Sequence, residues 1–147
     1  SDPTMAPRIA GVLAARGSEH ALVVHGGDRL DEITITDSTR IYEVRDGEVM
    51  GEIEFEPESV GIRRVNRAEI QGGSAEDNVR IMHELFSGDD VGPRADIVAI
   101  NAAAGLVVAG LVESLESGLE KARTVMVDGK AAAKLKAVVD LSNEIAD

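Results

Sequence analysis

The spacing of hydrophobic residues divides the chain into a strand-rich first part and a helical second part. The apolar run at residues 21–24 is too short and too β-branched for a helix, and it predicts a buried parallel strand. Between residues 33 and 55 apolar and polar residues alternate, which predicts strands with one exposed face. Asp46 and Gly47 interrupt this alternation and predict a tight turn, because glycine accepts a positive φ. An antiparallel hairpin is therefore expected in the first part.

Helical spacing of apolar residues predicts five helices outside the strand region. The first begins near Pro7 and stops at Gly17. The second begins with a capping box at Ser74 and stops at Gly88. A third starts after Pro93, and two more follow it. The faces expected to point inward carry apolar residues, namely Ile9, Val12, Leu13, Val79, Met82, Leu85, Phe86, Leu119, Ala122, Val125, Met126, Leu135, Val138, Val139 and Leu141.

The third helix is apolar nearly all round, as expected of a helix at the centre of a core. Its apolar run at residues 97–112 contains Asn101 and is shorter than the roughly 20 residues that a bilayer span needs. We therefore expect a buried core helix and no membrane span. Gly105 and Gly110 weaken a helix, and close approach of a neighbouring backbone is the expected reason for them. A chain of 147 residues has the size of one domain, and the patterns predict a single α/β domain.

The chain carries 27 acidic and 15 basic residues, which gives a formal net charge of -12. This charge repels nucleic-acid backbones and anionic membrane surfaces, so neither is expected as a partner. A phosphate substrate would need local attraction from a metal ion, helix N-termini or a few arginines. The chain has no cysteine, which excludes disulfides, thiolate metal sites and a thiol nucleophile.

The best candidate for chemistry is the loop at residues 25–32, which follows the predicted strand and contains Asp28, Asp31 and Glu32. Ligands of open α/β sheets bind at the carboxyl ends of strands. A turn can bring Asp31 and Glu32 onto one Mg²⁺ ion, which takes one or two carboxylates, keeps several waters and uses substrate phosphates for the rest. Such a site requires a phosphorylated ligand. The alternative is that Asp28 and Asp31 only form turns and that Glu32 is a solvated side chain.

Other polar features have two interpretations each. His25 ends a strand, where a packed, hydrogen-bonded histidine competes with a chemical role. The basic cluster of Arg63, Arg64 and Arg67 either faces an anionic substrate or balances the acidic hairpin. Residues 72–73, two glycines, form either an anion-binding helix entrance or a plain loop before a capped helix. The sequence lacks a P-loop, a dinucleotide fingerprint, a nucleophile elbow and a zinc signature, so no catalytic residue is assigned and substrate-binding residues stay unknown.

Five groups of residues occur in one order along the chain. They are residues 21–26 with 30–33, 72–73 with 76–78, 96–98 with 101–104, Gly118 with Ala122, and 129–131 with Leu135. This order resembles the anthranilate phosphoribosyltransferase family over nearly the whole chain. The resemblance implies an α/β fold whose mixed sheet contains an antiparallel hairpin and is flanked by helices, as in the large domain of the anthranilate phosphoribosyltransferase and nucleoside phosphorylase family.

The resemblance also implies that residues 1–147 are one α/β domain from the carboxy-terminal part of a longer family chain. The opening at Asp2 and Pro3 resembles a native loop of that chain more than a tag remnant. The amino-terminal helical domain that forms the family's homodimer, its glycine-rich pyrophosphate loop and its anthranilate-binding arginine lie upstream of the segment that this chain resembles. We therefore expect the lone chain to be inactive.

The function that the resemblance implies is transfer of phosphoribosyl from phosphoribosyl pyrophosphate (PRPP) to anthranilate, with release of pyrophosphate, in cytoplasmic tryptophan biosynthesis. By position, Asp31 and Glu32 would bind the Mg²⁺ that accompanies PRPP. The family usually has glycine at the position of Arg29 and one residue fewer between His25 and Leu30. Alternative functions are a pyrimidine nucleoside phosphorylase relative, a non-catalytic binding module of the same fold, and a domain that self-associates through an exposed apolar face.

Overall fold

The computed structural model of the protein describes residues 2–146 and confirms the α/β class, with helices around one sheet. The elements in chain order are α1 (Met5–Ala15), β1 (His20–Gly26), β2 (Thr39–Arg45), β3 (Glu48–Phe55), a 3₁₀ turn (Pro57–Val60), α2 (Arg67–Ile70), α3 (Ala75–Ser87), α4 (Pro93–Val108), α5 (Leu115–Val127) and α6 (Lys130–Ala146). All five helices predicted from apolar spacing are present. The short α2 was not predicted, because four residues are too few to show a period.

The predicted hairpin is confirmed between β2 and β3, where Asp46 and Gly47 have φ values of 48° and 79°. Positive φ at both central residues is the geometry that matches the twist of paired strands. The sheet of the described residues has the order β1-β2-β3, and both pairings are antiparallel. The expected parallel pairing of residues 21–24 is therefore not formed within residues 2–146.

The apolar run of β1 has another cause, which is packing of its partly buried side chains on both faces of the sheet. Ala21 and Val23 pack against the cluster that includes α1, whereas Leu22 and Val24 pack against the main core beside α4. Burial on both faces produces the same continuous apolar run as a parallel strand. In the described part of the chain β1 pairs only with β2, so its other edge is open. Edge strands are usually protected by charged residues. Between His20 and His25, β1 has none.

Ile33 and Ile35 are fully buried, as their alternation indicates, but they do not lie in a strand. The backbone N–H of Thr34 donates to the Thr39 hydroxyl at 3.0 Å, and the Thr34 hydroxyl accepts from the Thr36 N–H at 3.1 Å. Side-chain hydroxyls take the place of strand partners here, so at Ile33 and Ile35 the alternation predicted burial correctly and secondary structure incorrectly. At Ile53 of β3, which is 53% exposed, it predicted the strand correctly and burial incorrectly.

Helix α4 lies at the centre of the main core, with Ala99, Ile100 and Ala103 completely buried. The close backbone approach expected at Gly105 and Gly110 occurs instead at Gly118 of α5. A Cβ at Gly118 would lie 3.0 Å from the Ala103 carbonyl oxygen, whereas a Cβ at Gly105 would have no atom within 4 Å. Gly110 follows the end of α4 with a φ of 67°. Glycine therefore lets α4 and α5 pack in close contact.

Three predicted helix faces are wrong in detail. In α3, Val79 and Met82 were expected to point inward but are 55% and 37% exposed. In α1 the sheet contacts the small residues Ala6 and Ala10, while Ile9 and Val12 are 43% and 59% exposed. Tyr42 fills the surface that faces α1, so only small side chains allow the helix to approach. In α6 the expected inward residues are mostly exposed, including Val138, Val139 and Leu141. Within residues 2–146, every helix is too short or too polar to cross a membrane.

We predict opposite effects for the same substitution at two helical glycines. Gly118→Ala should lower the free energy of unfolding by about 1–3 kcal/mol, because the methyl group overlaps Ala103. Gly105→Ala should raise it by about 0.5–1 kcal/mol, because alanine favours a helix and the space is open. Urea unfolding of both variants measures the difference. Equal effects at the two positions would contradict the packing of α5 on α4.

Candidate metal and phosphate site

The loop that follows β1 closes on itself immediately after the strand. The Gly26 N–H donates to the Leu30 carbonyl at 2.9 Å, and the Arg29 N–H donates to the Gly26 carbonyl at 2.9 Å. A Cβ at Gly26 would lie 2.6 Å from the Asp28 carboxylate, and one at Gly27 would lie 2.8 Å from the Asp37 carboxylate. The two glycines are therefore needed because carboxylates pack directly against the backbone.

Arg29 has a φ of 72°, in the left-handed region that favours glycine. The resemblance implies glycine at this position, and glycine would adopt the same conformation more readily. The loop of this chain thus adopts a turn that favours glycine, although Arg29 carries a long side chain.

Asp28 organises the inside of the loop. One carboxylate oxygen accepts from the Leu30 N–H at 3.1 Å, and the other accepts from the hydroxyls of Thr34 and Thr36 at 2.9 Å and 2.5 Å. Burial of Asp28 raises its pKa, but the combined hydrogen bonds from Thr36, Leu30 and Thr34 outweigh burial and hold the pKa below its ordinary value of 3.8. For Asp28, the predicted role as a turn former is confirmed.

Asp31 and Glu32 have a different environment, because both are exposed. In the described part of the chain neither carboxylate forms a hydrogen bond or an ion pair with another residue. Adjacent carboxylates that no protein donor neutralises are suited to a hard divalent cation that keeps most of its ligands as water or phosphate oxygens. No cluster of three or more histidine or acidic side chains within residues 2–146 is placed to hold a metal ion. The donor set of Asp31 and Glu32 therefore fits Mg²⁺ shared with a ligand, and it does not fit a closed protein site.

Asn101 of α4 holds the residue that follows the acidic pair, and its role was not predicted from the sequence. Its side-chain oxygen accepts from the Ile33 N–H at 2.9 Å, and its side-chain nitrogen donates to the Ile33 carbonyl at 2.8 Å. The only signal in the sequence was the position of Asn101 as the one polar residue in the apolar run at 97–112. A polar residue in a core helix implies a specific buried hydrogen-bonding partner.

The arginines of the basic cluster have different partners. Arg64 pairs with Glu56, with Glu58 at 3.2 Å and with Asp37 at 3.4 Å, so the expected balance of acidic charge is confirmed for this residue. The hydrogen bond to Glu58 raises the pKa of Arg64. Arg67 donates to the carbonyl of Asp28 at 3.4 Å and brings positive charge to the base of the loop.

Arg63 is exposed and pairs with Glu69 at 3.2 Å. Its charge, like that of Arg64, is therefore directed at protein carboxylates in this structure. His25 is 6% exposed at the end of β1, and its expected packing is confirmed, while a chemical role for it stays a prediction.

The glycines at residues 72–73 precede a helix whose capping box is confirmed. The Ser74 hydroxyl accepts from the Asp77 N–H at 3.2 Å, and the Asp77 carboxylate accepts from the Ser74 N–H at 3.1 Å. The Gly73 N–H donates to the Asn78 side-chain oxygen at 3.0 Å. These N–H groups already have acceptors, so the geometry favours the plain loop over an anion-binding entrance.

The surface of the described residues contains several grooves. A groove of about 310 Å³ runs between β1 and α4, and Ile33 and Asn101 line its wall. A larger groove of about 780 Å³ lies between α3 and α6, on apolar residues that include Met82 and Leu135. The groove between β1 and α4 is the one adjacent to the segment that carries Asp31 and Glu32, because Ile33 lines it.

Known proteins of one family are similar to this chain over most of its length. The family model described as glycosyl transferase family, a/b domain, matches residues 1–132. The anthranilate phosphoribosyltransferase of Petrotoga mobilis is 39% identical over 142 residues, which are 97% of this chain and 41% of that protein. The corresponding protein of Acetivibrio thermocellus is 42% identical with the same coverage. The chain thus spans about two fifths of the length of the curated relatives it matches.

Solved structures show the same relationship. The anthranilate phosphoribosyltransferase of Thermus thermophilus superposes with a TM-score of 0.85 at 34% identity, covering 95% of this chain and 40% of that one. The Saccharomyces cerevisiae enzyme in complex with PRPP and Mg superposes with a TM-score of 0.81 at 23% identity and the same coverage, and it shares the fold.

We predict that Asp28 stabilises the fold and that its contribution depends on pH. Asp28→Asn should lower the free energy of unfolding by about 1–2 kcal/mol at pH 7, because Thr34 and Thr36 lose a charged acceptor. The folded-state pKa is depressed, so the wild-type advantage is fully present above pH 3.8 and is lost as the pH falls through the folded value. Urea unfolding at pH 7 and at successively lower pH measures both effects.

Asp31→Asn is the matched control for this prediction, because Asp31 is exposed in the same loop. It should change the free energy of unfolding by about 0.5 kcal/mol or less at pH 7. A loss at Asp31 as large as that at Asp28 would contradict the division of the loop into a structural carboxylate and two exposed ones.

Proposed function

The chain belongs to the glycosyl transferase family through its a/b domain, and from this premise we propose that it is the carboxy-terminal α/β portion of an anthranilate phosphoribosyltransferase. The exposed pair of Asp31 and Glu32, on the loop after β1, is the observation that carries the proposal. Sequence identities of 39% and 42% to two such enzymes, and the TM-score of 0.85 to a third, support it. The relatives named above are all of this one activity, which favours it over nucleoside phosphorolysis.

In the proposed reaction the amine of anthranilate displaces pyrophosphate from the ribose of PRPP. The transition state carries positive charge on the ribose and negative charge on the departing pyrophosphate, so catalysis depends on positioning and on charge stabilisation. In this reaction, the residues of this chain would bind at the pyrophosphate group of PRPP. The carboxylates of Asp31 and Glu32 orient the cation that accompanies PRPP, and the loop between Gly26 and Ile33 fixes their position.

Mg²⁺ is the proposed cofactor, and Asp31 and Glu32 are its proposed protein ligands. When bound, Mg²⁺ would neutralise phosphate charge that the net charge of -12 of this chain otherwise repels. Arg67 adds positive charge at the base of the same loop. A local cationic site within an acidic protein is consistent with a phosphorylated substrate and gives no support to nucleic-acid binding.

The proposed active site is shared with the part of the family chain outside residues 1–147. No side chain of this chain is assigned as nucleophile or general base, so its role is binding and orientation. The open edge of β1 supports the proposal that further strands complete the sheet. We place residues 1–147 as one α/β domain of a cytoplasmic homodimer that assembles through the family's helical domain, and we propose that these residues alone do not turn over substrate.

A chimera tests the proposed function directly. Residues 1–147 replace the matching segment of the Petrotoga mobilis enzyme, and loss of anthranilate fluorescence is followed with PRPP and Mg²⁺ present. We expect turnover by the chimera. Asp31→Asn and Glu32→Gln should each lower kcat/KM on the order of 100-fold, because each removes a carboxylate that orients the cation.

Glu48→Gln is the matched control, since Glu48 is an exposed carboxylate at the start of β3. It should leave kcat/KM unchanged. A folded chimera that keeps its full activity after both Asp31→Asn and Glu32→Gln would refute the assigned cation site. Turnover by residues 1–147 alone would show that the site is complete without the rest of the family chain.

A further inference from the structure

The acidic pair lies between two residues whose backbone groups are both fixed. Leu30, on one side, donates its N–H to the Asp28 carboxylate at 3.1 Å and accepts from the Gly26 N–H at 2.9 Å. Ile33, on the other side, has its N–H and its carbonyl bound to Asn101. Only Asp31 and Glu32 stand between these two anchors, so their position follows from the anchors.

We propose that Asn101 is a positioning residue for Asp31 and Glu32. Its amide fixes Ile33, so that both carboxylates are held where one divalent cation and the phosphate oxygens of a ligand can meet them. The inference rests on the proposed function of Asp31 and Glu32. It adds that Asn101 fixes the position of these two residues before a ligand binds. Asn101 acts through the backbone of Ile33 and contacts neither the cation nor the substrate.

Three hydrogen bonds give the Asn101 amide a single orientation. Its nitrogen donates to the Ile33 carbonyl at 2.8 Å and to the Ile97 carbonyl at 2.9 Å, and its oxygen accepts from the Ile33 N–H at 2.9 Å. Ile97 lies one turn earlier in α4, so the amide is held to its own helix. All three distances are those of well-formed hydrogen bonds.

The anchor is rigid because Ile33 is buried and Asn101, which is partly buried, lies on the central core helix. The Ile33 side chain is 0% exposed, and the neighbouring α4 residue Ile100 is also 0% exposed. A loop fixed to a core helix loses less conformational freedom when a ligand binds than a free loop does, which favours binding. Asn101 thus connects the central helix of the fold to the exposed carboxylates of the loop.

An amide is the side chain that this contact requires. It presents an acceptor and a donor side by side, which match the N–H and the carbonyl of one residue. Aspartate would keep the acceptor but lose both donated hydrogen bonds, and it would add charge beside the Ile33 carbonyl. Leucine has a similar size and would lose all three bonds. Asn101→Leu therefore removes the anchor without changing the charge near the cation site.

The chain contains a chemically matched control on a different helix. Asn78 of α3 accepts from the Gly73 N–H at 3.0 Å and donates to the Gly73 carbonyl at 3.2 Å. This is the same two-sided contact between an asparagine amide and one backbone residue. Asn78→Leu removes it outside the loop of Asp31 and Glu32.

Mn²⁺ serves as the probe, because it prefers the same oxygen ligands as Mg²⁺ and broadens nearby amide NMR signals. Titration of the wild-type chain with Mn²⁺ in the presence of PRPP, which supplies the phosphate oxygens of the shared site, should broaden the amide signals of residues 31–34 selectively. For Asn101→Leu we expect the Mn²⁺ dissociation constant from this broadening to rise about 10–100-fold, the usual effect of removing a side chain that orients metal ligands. For Asn78→Leu we expect no change. If Asn101→Leu does not fold, Asn101→Ser, which keeps one hydrogen-bonding group, is measured in the same way.

The outcomes separate the two proposals. If Asp31→Asn weakens Mn²⁺ binding while folded Asn101 variants bind as the wild type does, the cation site stands and the positioning role is overturned. If Mn²⁺ with PRPP leaves residues 31–34 of the wild type unaffected, the cation site of the proposed function fails and the positioning role fails with it. Faster amide hydrogen exchange at Ile33 in the Asn101 variants, with exchange at Gly73 unchanged, is the structural result that the proposal requires.

Discussion

The geometry of the candidate site depends on the contact between the Asn101 amide and the backbone of Ile33. This contact joins the central helix α4 to the loop after β1. Asp28 anchors the other end of the loop through Leu30 and through the hydroxyl of Thr34. Both anchors are partly buried, whereas the carboxylates between them are exposed. The same loop thus contributes to the stability of the fold and presents ligands at its surface.

The function proposed for the loop places a phosphorylated substrate on an acidic protein. A net charge of -12 opposes the approach of PRPP, and the arginines of the basic cluster are mostly engaged with carboxylates of the chain itself. A divalent cation at Asp31 and Glu32 resolves this conflict, because the negative charge of the protein then attracts the species that neutralises the phosphates. The acidic character of the loop therefore favours binding of the cation that the proposed reaction needs.

Local patterns predicted the elements of the fold well, because hairpin turns, helix caps and helical periods depend on neighbouring residues. Long-range contacts were not predictable. The glycine that permits close helix packing is Gly118 and not Gly105, and the choice depends on how α5 crosses α4. The role of Asn101 depends on a contact with a residue 68 positions away. Alternation placed Ile33 in the core but assigned it to a strand, because threonine hydroxyls and the Asp28 carboxylate replace strand partners there.

The location of the cation is the most direct test of the account. A crystal structure of the chimera with PRPP and Mn²⁺, with anomalous scattering to identify the metal, gives that location. The account predicts a peak at about 2.0–2.2 Å from carboxylate oxygens of Asp31 or Glu32, with phosphate oxygens of PRPP completing the coordination. PRPP bound with its metal at other residues, and both carboxylates left in solvent, would contradict it.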